Sequence, residues 1–196
     1  MSSARPVSLL LFALLLGACS IPEGDQSSPS QVHYLWVKVR ASGDPAQMWE
    51  LLHPEVRKNF EAWHAAEKAT VDEIKASYPA EDRKAALAAI GGATRGELAS
   101  ARDLFVASVT QAPAEPGSMG AMGARVRGED LSEDGNTATV RTFGGDEVVF
   151  RKGPSDQWFV TLSADELVRL TSARTRAETN LERVRANLRK LGKNKP

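Results

Sequence analysis

The stretch that decides the fold is residues 134–162, DGNTATVRTFGGDEVVFRKGPSDQWFVTL. Turn-forming residues interrupt it at 134–136, 144–146 and 153–156, and short runs with alternating apolar side chains lie between these turns. Such punctuation is typical of antiparallel hairpins. The stretch therefore predicts a meander of three strands, with a fourth strand around 125–131 pairing ahead of it.

The alternation also predicts which side chains face the core. Ala138 and Val140 share one side of their strand, as Trp158, Val160 and Leu162 do in the last strand. Because successive side chains of a strand point to opposite faces, we expect Trp158 to be buried.

Helical spacing dominates the chain before this sheet. Val32, Leu35, Trp36 and Val39 recur at three and four residues, which predicts a helix from Gln31 that ends at Gly43. Asp44 followed by Pro45 is a typical helix start. Three further helices are expected at 54–76, 80–90 and 98–109. The predicted class is α+β, with N-terminal helices packed on a C-terminal antiparallel sheet of three to four strands.

A last helix is expected from Ala164 to Leu191, on an apolar stripe weakened by Ala173 and Ala177. From residue 169 to residue 196 there are nine cations and two acids, an excess of +7. The stripe is narrower than that of a core helix. We therefore expect a contact element outside the minimal fold, which docks on the domain, pairs with another helix, or touches anionic lipid or an acidic partner.

The N-terminus has the pattern of an export signal. Arg5 precedes the apolar run Leu9–Leu16, and this run is too short to span a bilayer, which needs about 20 apolar residues. Residues 1–18 are therefore expected to be a signal peptide.

Leu16-Gly17-Ala18-Cys19 resembles the bacterial lipobox. The resemblance implies cleavage between Ala18 and Cys19, a diacylglycerol on the Cys19 sulfur, and a further acyl chain such as palmitate on its amine. The alternative is an ordinary signal peptide with a chance cysteine. Cys19 is the only cysteine of the chain, which favours acylation over a disulfide. Ser20 favours the outer membrane, facing the periplasm, by resemblance to enterobacterial lipoproteins.

Three segments are expected after the signal peptide: a tether at 19–30, an α+β domain at 31–163 and the basic helix at 164–196. The full chain has 25 cations and 25 acids. A neutral balance in an exported protein argues against a nucleic-acid partner.

Helices followed by DGNTATV at 134–140 and by QWFVTL at 157–162 resemble the cone-shaped α+β fold of nuclear transport factor 2-like proteins. The resemblance covers residues 31–162 and implies a cone that holds small apolar ligands in many members. This chain has a longer helical region at 54–109 and adds the C-terminal helix.

No motif for catalysis or cofactor binding emerges from the residues. The histidines His33, His53 and His64 lack metal-ligand spacing, so no metal site is predicted. Residues 117–123, GSMGAMG, lack the Gly-Lys-Ser/Thr ending of a phosphate loop and predict a mobile connector, with Met119 and Met122 as an alternative lid. The tryptophans are expected in the core, with ligand lining as the alternative: Trp36, Trp49, Trp63 and Trp158.

These observations predict a membrane-anchored lipoprotein that acts as a non-catalytic binding or assembly module for a protein or an apolar small molecule. The alternative is an isomerase- or hydrolase-like enzyme that uses a polar residue in the cone.

Overall fold

Proline begins each of the first three helices in the computed structural model, which describes residues 24–110 and 120–193. Helix α1 spans Pro29–Ser42, two residues longer at its start than expected, and Gly43 ends it with a left-handed φ of 69°. Asp44 caps helix α2, Pro45–Leu51, by accepting hydrogen bonds from the Ala46 and Gln47 amides at 3.0 and 3.3 Å. Helix α3 spans Pro54–Ser77.

Three shorter helices follow. Helix α4 spans Arg83–Ala89, α5 spans Ala101–Thr110 and α6 spans Gly120–Gly123. None of the residues of α4 is buried, although five of its seven residues are alanine or leucine. Helix α4 therefore lies at the surface with apolar side chains partly uncovered.

The predicted sheet is confirmed. Its strands are β1 at Val126–Leu131, β2 at Thr137–Thr142, β3 at Glu147–Lys152 and β4 at Trp158–Val160. They lie in the order β1-β2-β3-β4, and each neighbouring pair is antiparallel. The fold is α+β, with helices in the N-terminal part, a four-stranded antiparallel sheet and a long C-terminal helix.

The core lies between the sheet and the first helices. On the sheet it includes Ala138, Val140, Phe150 and Trp158, which confirms the predicted burial of Trp158. On the helices it includes Val32, Trp49, Leu52, Phe60 and Phe105.

Helix α7 spans Ala164–Lys193 and lies along α3. Arg174 donates to the Asn59 side chain at 2.7 Å, and Arg185 pairs with Glu73 at 2.7 Å. Because both residue numbers rise together, the two helices are parallel. Leu170, Ala177 and Val184 of α7 are buried, and Leu170 belongs to the main core. The narrow apolar stripe of α7 thus packs against the domain. The helix contributes to the core, whereas the sequence predicts that it lies outside the minimal fold.

The segment before α1 contacts the sheet from Gln26 onward. The Trp158 amide donates to the Gln26 carbonyl at 3.0 Å, and the Gln26 side chain donates to the Trp158 carbonyl at 3.1 Å. Ser28 then caps α1. The expected tether at 19–30 is therefore held against β4 in its second half. The expected signal peptide at 1–18, Cys19 and residues 111–119 lie outside the described residues.

Candidate functional site

Four aromatic rings on α2, α3 and α5 pack against one another in the core: Trp49, Phe60, Trp63 and Phe105. Phe60 lies 5.5 Å from Phe105, 5.9 Å from Trp63 and 6.1 Å from Trp49, measured between ring centroids. Such spacings are typical of packed aromatic pairs. The side chains thus fill this part of the interior.

The tryptophans contribute to this packing, as expected. Trp49 and Trp158 are buried, and Trp36 and Trp63 pack against the core with part of each ring exposed.

The three histidines each contact a backbone carbonyl that is distant in the sequence. The Nε2 atoms of His33, His53 and His64 lie 2.8, 3.2 and 2.9 Å from the carbonyls of Ala124, Lys152 and Leu98. The structure therefore gives each histidine a role in joining segments and does not bring them together.

Burial lowers the pKa of His33 and of His53 below the ordinary value of 6.5, and the hydrogen bonds to Ala124 and Lys152 oppose this shift only in part. His33 is 2% exposed, and its Nδ1 has no hydrogen-bond partner among the described residues. Both rings are therefore held in the neutral form by the packing around them.

Glu67 is the buried carboxylate of the domain's helical side, at 6% exposed. Its Oε1 accepts from the Trp63 indole at 3.2 Å and pairs with the Arg95 guanidinium at 3.2 Å. Trp63 and Glu67 both lie on α3, and Arg95 lies in the segment between α4 and α5, so the carboxylate joins α3 to that segment.

Across residues 24–110 and 120–193, no three histidine, acidic or cysteine side chains gather closely enough to hold a metal ion. Over the same residues, no helix has the length and apolar character needed to cross a bilayer.

The glycine-rich segment is described only from Gly120, where α6 forms a single turn. The Gly144 amide donates to the Gly123 carbonyl at 2.8 Å, and Met122 is 63% exposed. Met119 lies outside the described residues, so the lid alternative stays a prediction.

A groove of about 410 Å³ lies on the outside of the domain, between α4 and the second half of α7. Its apolar floor comes from Ala85, Ala86 and Ala89 on α4, from Ile90 directly after α4, and from Val184 and Leu191 on α7. Its polar rim consists of Tyr78, Asp82, Asn180, Arg183, Asn187 and Lys190. An apolar floor with a few polar groups around it is the usual composition of a binding site.

A second, shallower depression of about 430 Å³ continues along the same flank of α7, from Thr171 to Arg183, and its lining residues all belong to α7. The two depressions share Asn180 and Arg183. Together they form one furrow, which we call the α4–α7 furrow. It extends from Thr171 to Leu191, about 30 Å at 1.5 Å per residue.

Three cations line this furrow at intervals of seven residues, Arg176, Arg183 and Lys190, and Arg169 lies one repeat before them on α7; we call these four residues the cation row. All four are exposed, and no acidic side chain among the described residues forms a salt bridge with them, whereas Arg174 and Arg185 are paired with Glu178 and Glu73. Seven residues are almost two helical turns, so the four lie on one side of α7.

Reasoning from the sequence identified the basic excess of α7 but missed the furrow. The seven-residue spacing of the cations was the available signal. The position of α4 beside α7 was not available from the sequence, because α4 and α7 are about 100 residues apart in the chain.

Comparisons with known protein families, with curated proteins and with solved structures found no match to this chain.

Proposed function

We propose that this protein is a lipid-anchored, non-catalytic binding module that faces the periplasm and presents the α4–α7 furrow to a partner. The anchor is Cys19, as the lipobox resemblance implies, and outer-membrane placement is the preferred location. The observation that carries the binding role is the contrast between an interior occupied by aromatic rings and an open furrow with an apolar floor.

Packing of the buried polar groups supports a module rather than an enzyme. A general acid or base must lie within hydrogen-bond reach of a bound substrate. His33 and Glu67 are enclosed by side chains and contact a backbone carbonyl or an arginine instead.

The furrow also has the position that a presenting surface requires. Gln26 is the described residue nearest to Cys19 that contacts the sheet, and it lies beside Trp158. Trp158 pairs with Lys152 at the end of β3. The Lys152 carbonyl in turn contacts His53, at the start of α3. Tyr78, at the other end of α3, lines the furrow. A helix of 24 residues is about 36 Å long, so the deepest part of the furrow lies that far from the anchored end.

Site-specific photocrosslinking in the native host tests this function. We expect a photoreactive residue at Asn187, on the furrow rim, to form an adduct with a defined protein, and one at Arg127, on the exposed side of β1, to form none. The Asn187 adduct should disappear when Ala89→Trp fills the furrow. The identified partner should bind the purified protein, and Ala89→Trp should weaken that binding.

Ala89 is exposed, so a change in folding does not explain a loss of the adduct. Equal adducts from both positions, or an Asn187 adduct that survives Ala89→Trp, would show that the furrow is not the binding surface.

A further inference from the structure

In its second half, from Asn180 to Leu191, the α4–α7 furrow is a groove between α4 and α7, and in its first half it runs along α7 alone. It is about 30 Å long, which corresponds to about 20 helical residues. Small side chains are frequent in its lining: Thr171, Ser172, Thr175 and Thr179 in its first half, and Ala85, Ala86 and Ala89 in its second half. Small residues allow two helix axes to approach to about 8 Å.

The charges along the furrow indicate what kind of helix fits. The cation row repeats every seven residues, about 10.5 Å along the axis. Asn180 and Asn187 repeat at the same interval and lie on the rim. A partner helix with carboxylates at the same interval would meet the three cations that line the furrow, as charged residues do beside the seam of a coiled coil. Asp82 is the one acid that lines the deeper groove, and it lies on the α4 wall rather than in the row.

A second copy of this chain does not fit this face. Two copies joined through their furrows would bring two rows of cations together, and like charges across an interface oppose association. An anionic membrane has the charge that would attract the cation row, but its shape does not match the furrow. A flat surface has no repeat that matches the spacing of the cations, and it does not enter the groove.

We propose that the partner of the furrow is an acidic amphipathic helix whose carboxylates recur every seven residues and whose apolar side chains enter between α4 and α7. This inference rests on the proposed function, since it names the class of partner that the furrow binds.

The test uses the full chain in zwitterionic detergent and two synthetic 22-residue helical peptides. One peptide has Glu at every seventh position beside a Leu stripe, and the other has Gln at those positions. Fluorescence anisotropy should show binding of the Glu peptide and at least tenfold weaker binding of the Gln peptide. The Glu peptide should also lose affinity as ionic strength rises.

A triple variant examines the cation row directly. Arg176→Gln, Arg183→Gln and Lys190→Gln together should weaken Glu-peptide binding by about tenfold, as expected when three exposed ion pairs are lost. The charge-matched control carries Lys58→Gln, Arg102→Gln and Arg127→Gln, all exposed and outside the furrow. It should bind like the unaltered chain. All six substituted residues are exposed, so both variants should fold, which circular dichroism verifies.

Equal binding of the two peptides, no binding of either, or equal effects of the two triple variants would overturn the acidic helix. Binding to vesicles with anionic phospholipid that the furrow variant alone abolishes, without peptide binding, would assign the row to the membrane instead. None of these outcomes affects the photocrosslinking test. The proposed class of partner can therefore be wrong while the proposed binding function of the furrow is right.

Discussion

His53 connects the start of α3 with the end of β3 through its two ring nitrogens. Nδ1 accepts from the Glu55 amide at 3.2 Å, so Nε2 carries the proton and donates to the Lys152 carbonyl. A second proton would go to Nδ1, where it would face the Glu55 N–H and break the helix cap. The neutral ring is therefore the form that the fold requires.

This geometry predicts that the protein loses stability in mild acid. Because the pKa of His33 and of His53 is lower in the folded than in the unfolded chain, the unfolded chain binds more protons as the pH falls below about 6.5. The free energy of unfolding should thus be constant above that pH and decrease towards pH 5. Urea unfolding at a series of pH values measures it.

His53→Asn separates the contribution of His53. Asparagine also caps helices, so the variant should keep the start of α3 while it loses the bond to Lys152, at a cost of about 1 kcal/mol near pH 7.5. Its stability should decline less steeply between pH 6.5 and pH 5 than that of the unaltered chain. An unaltered slope would contradict the role of His53.

Trp158 is the second residue whose role can be measured alone. It is 4% exposed in the core, and its backbone also pairs with Gln26. Trp158→Ala should reduce the free energy of unfolding by about 3 to 5 kcal/mol, and Trp158→Phe by less, because phenylalanine refills most of the space. Thermal and urea denaturation compare the two variants. An unchanged melting temperature in Trp158→Ala would contradict the packing.

At the scale of elements, the contact between α3 and α7 decides whether the C-terminal helix belongs to the fold. Ala177 is 1% exposed and lies between Leu170 and Val184, which are also buried. These three residues are seven apart, so they form one seam along the helix. The cation row precedes this seam by one residue at each repeat, which places it beside the contact and not within it.

The seam predicts that α7 stabilises the domain. Ala177→Asp places a charge in the contact and should cost more than about 2 kcal/mol, whereas Ser172→Asp, exposed on the same helix, should change stability by less than about 0.5 kcal/mol. Deletion of residues 166–196 should destabilise the domain as well. The narrow apolar stripe of the sequence predicts the reverse, because it indicates a helix outside the minimal fold. Equal effects of the two aspartates in urea unfolding would show that α7 is not docked.

The elements themselves could be predicted because local signals mark them. Proline and capping residues mark α1 to α3, and turn residues separate the strands, so most predicted bounds agree with the observed ones within a few residues. The predicted start of α1 is two residues late because the polar segment that contains Ser28 and Pro29 has the composition of a tether. The furrow could not be predicted, since it depends on where α4 and α7 lie relative to each other. The sequence does not decide how α7 docks, because a stripe containing Ala177 is compatible with several partners.

On the scale of the whole molecule, the contact of Gln26 with Trp158 limits how far the domain can stand from an anchor at Cys19. Seven residues span at most about 25 Å, less than a free tether of residues 19–30 would allow. A domain anchored at Cys19 would therefore lie close to the lipid surface, with the deeper groove between α4 and α7 towards its far end.

Anchoring itself is tested at Cys19. Metabolic labelling with a fatty-acid analogue should label the unaltered chain and not Cys19→Ala, and only the unaltered chain should fractionate with membranes. Two or more acyl chains are needed for stable attachment, so partial labelling should be accompanied by partial release. Equal labelling of both chains, or recovery of both in the soluble fraction, would contradict the anchor.

The parallel arrangement of α3 and α7 has an electrical consequence. Each helix has a macrodipole with about half a positive charge at its start and half a negative charge at its end, and parallel neighbours place like poles together. Acids in the first turns offset the positive poles: Glu55 on α3, and Asp165 and Glu166 on α7. Lys75, Arg189 and Lys190 offset the negative poles. Arg176 and Arg183 lie in mid-helix, beyond the reach of either pole, so dipole compensation does not account for them.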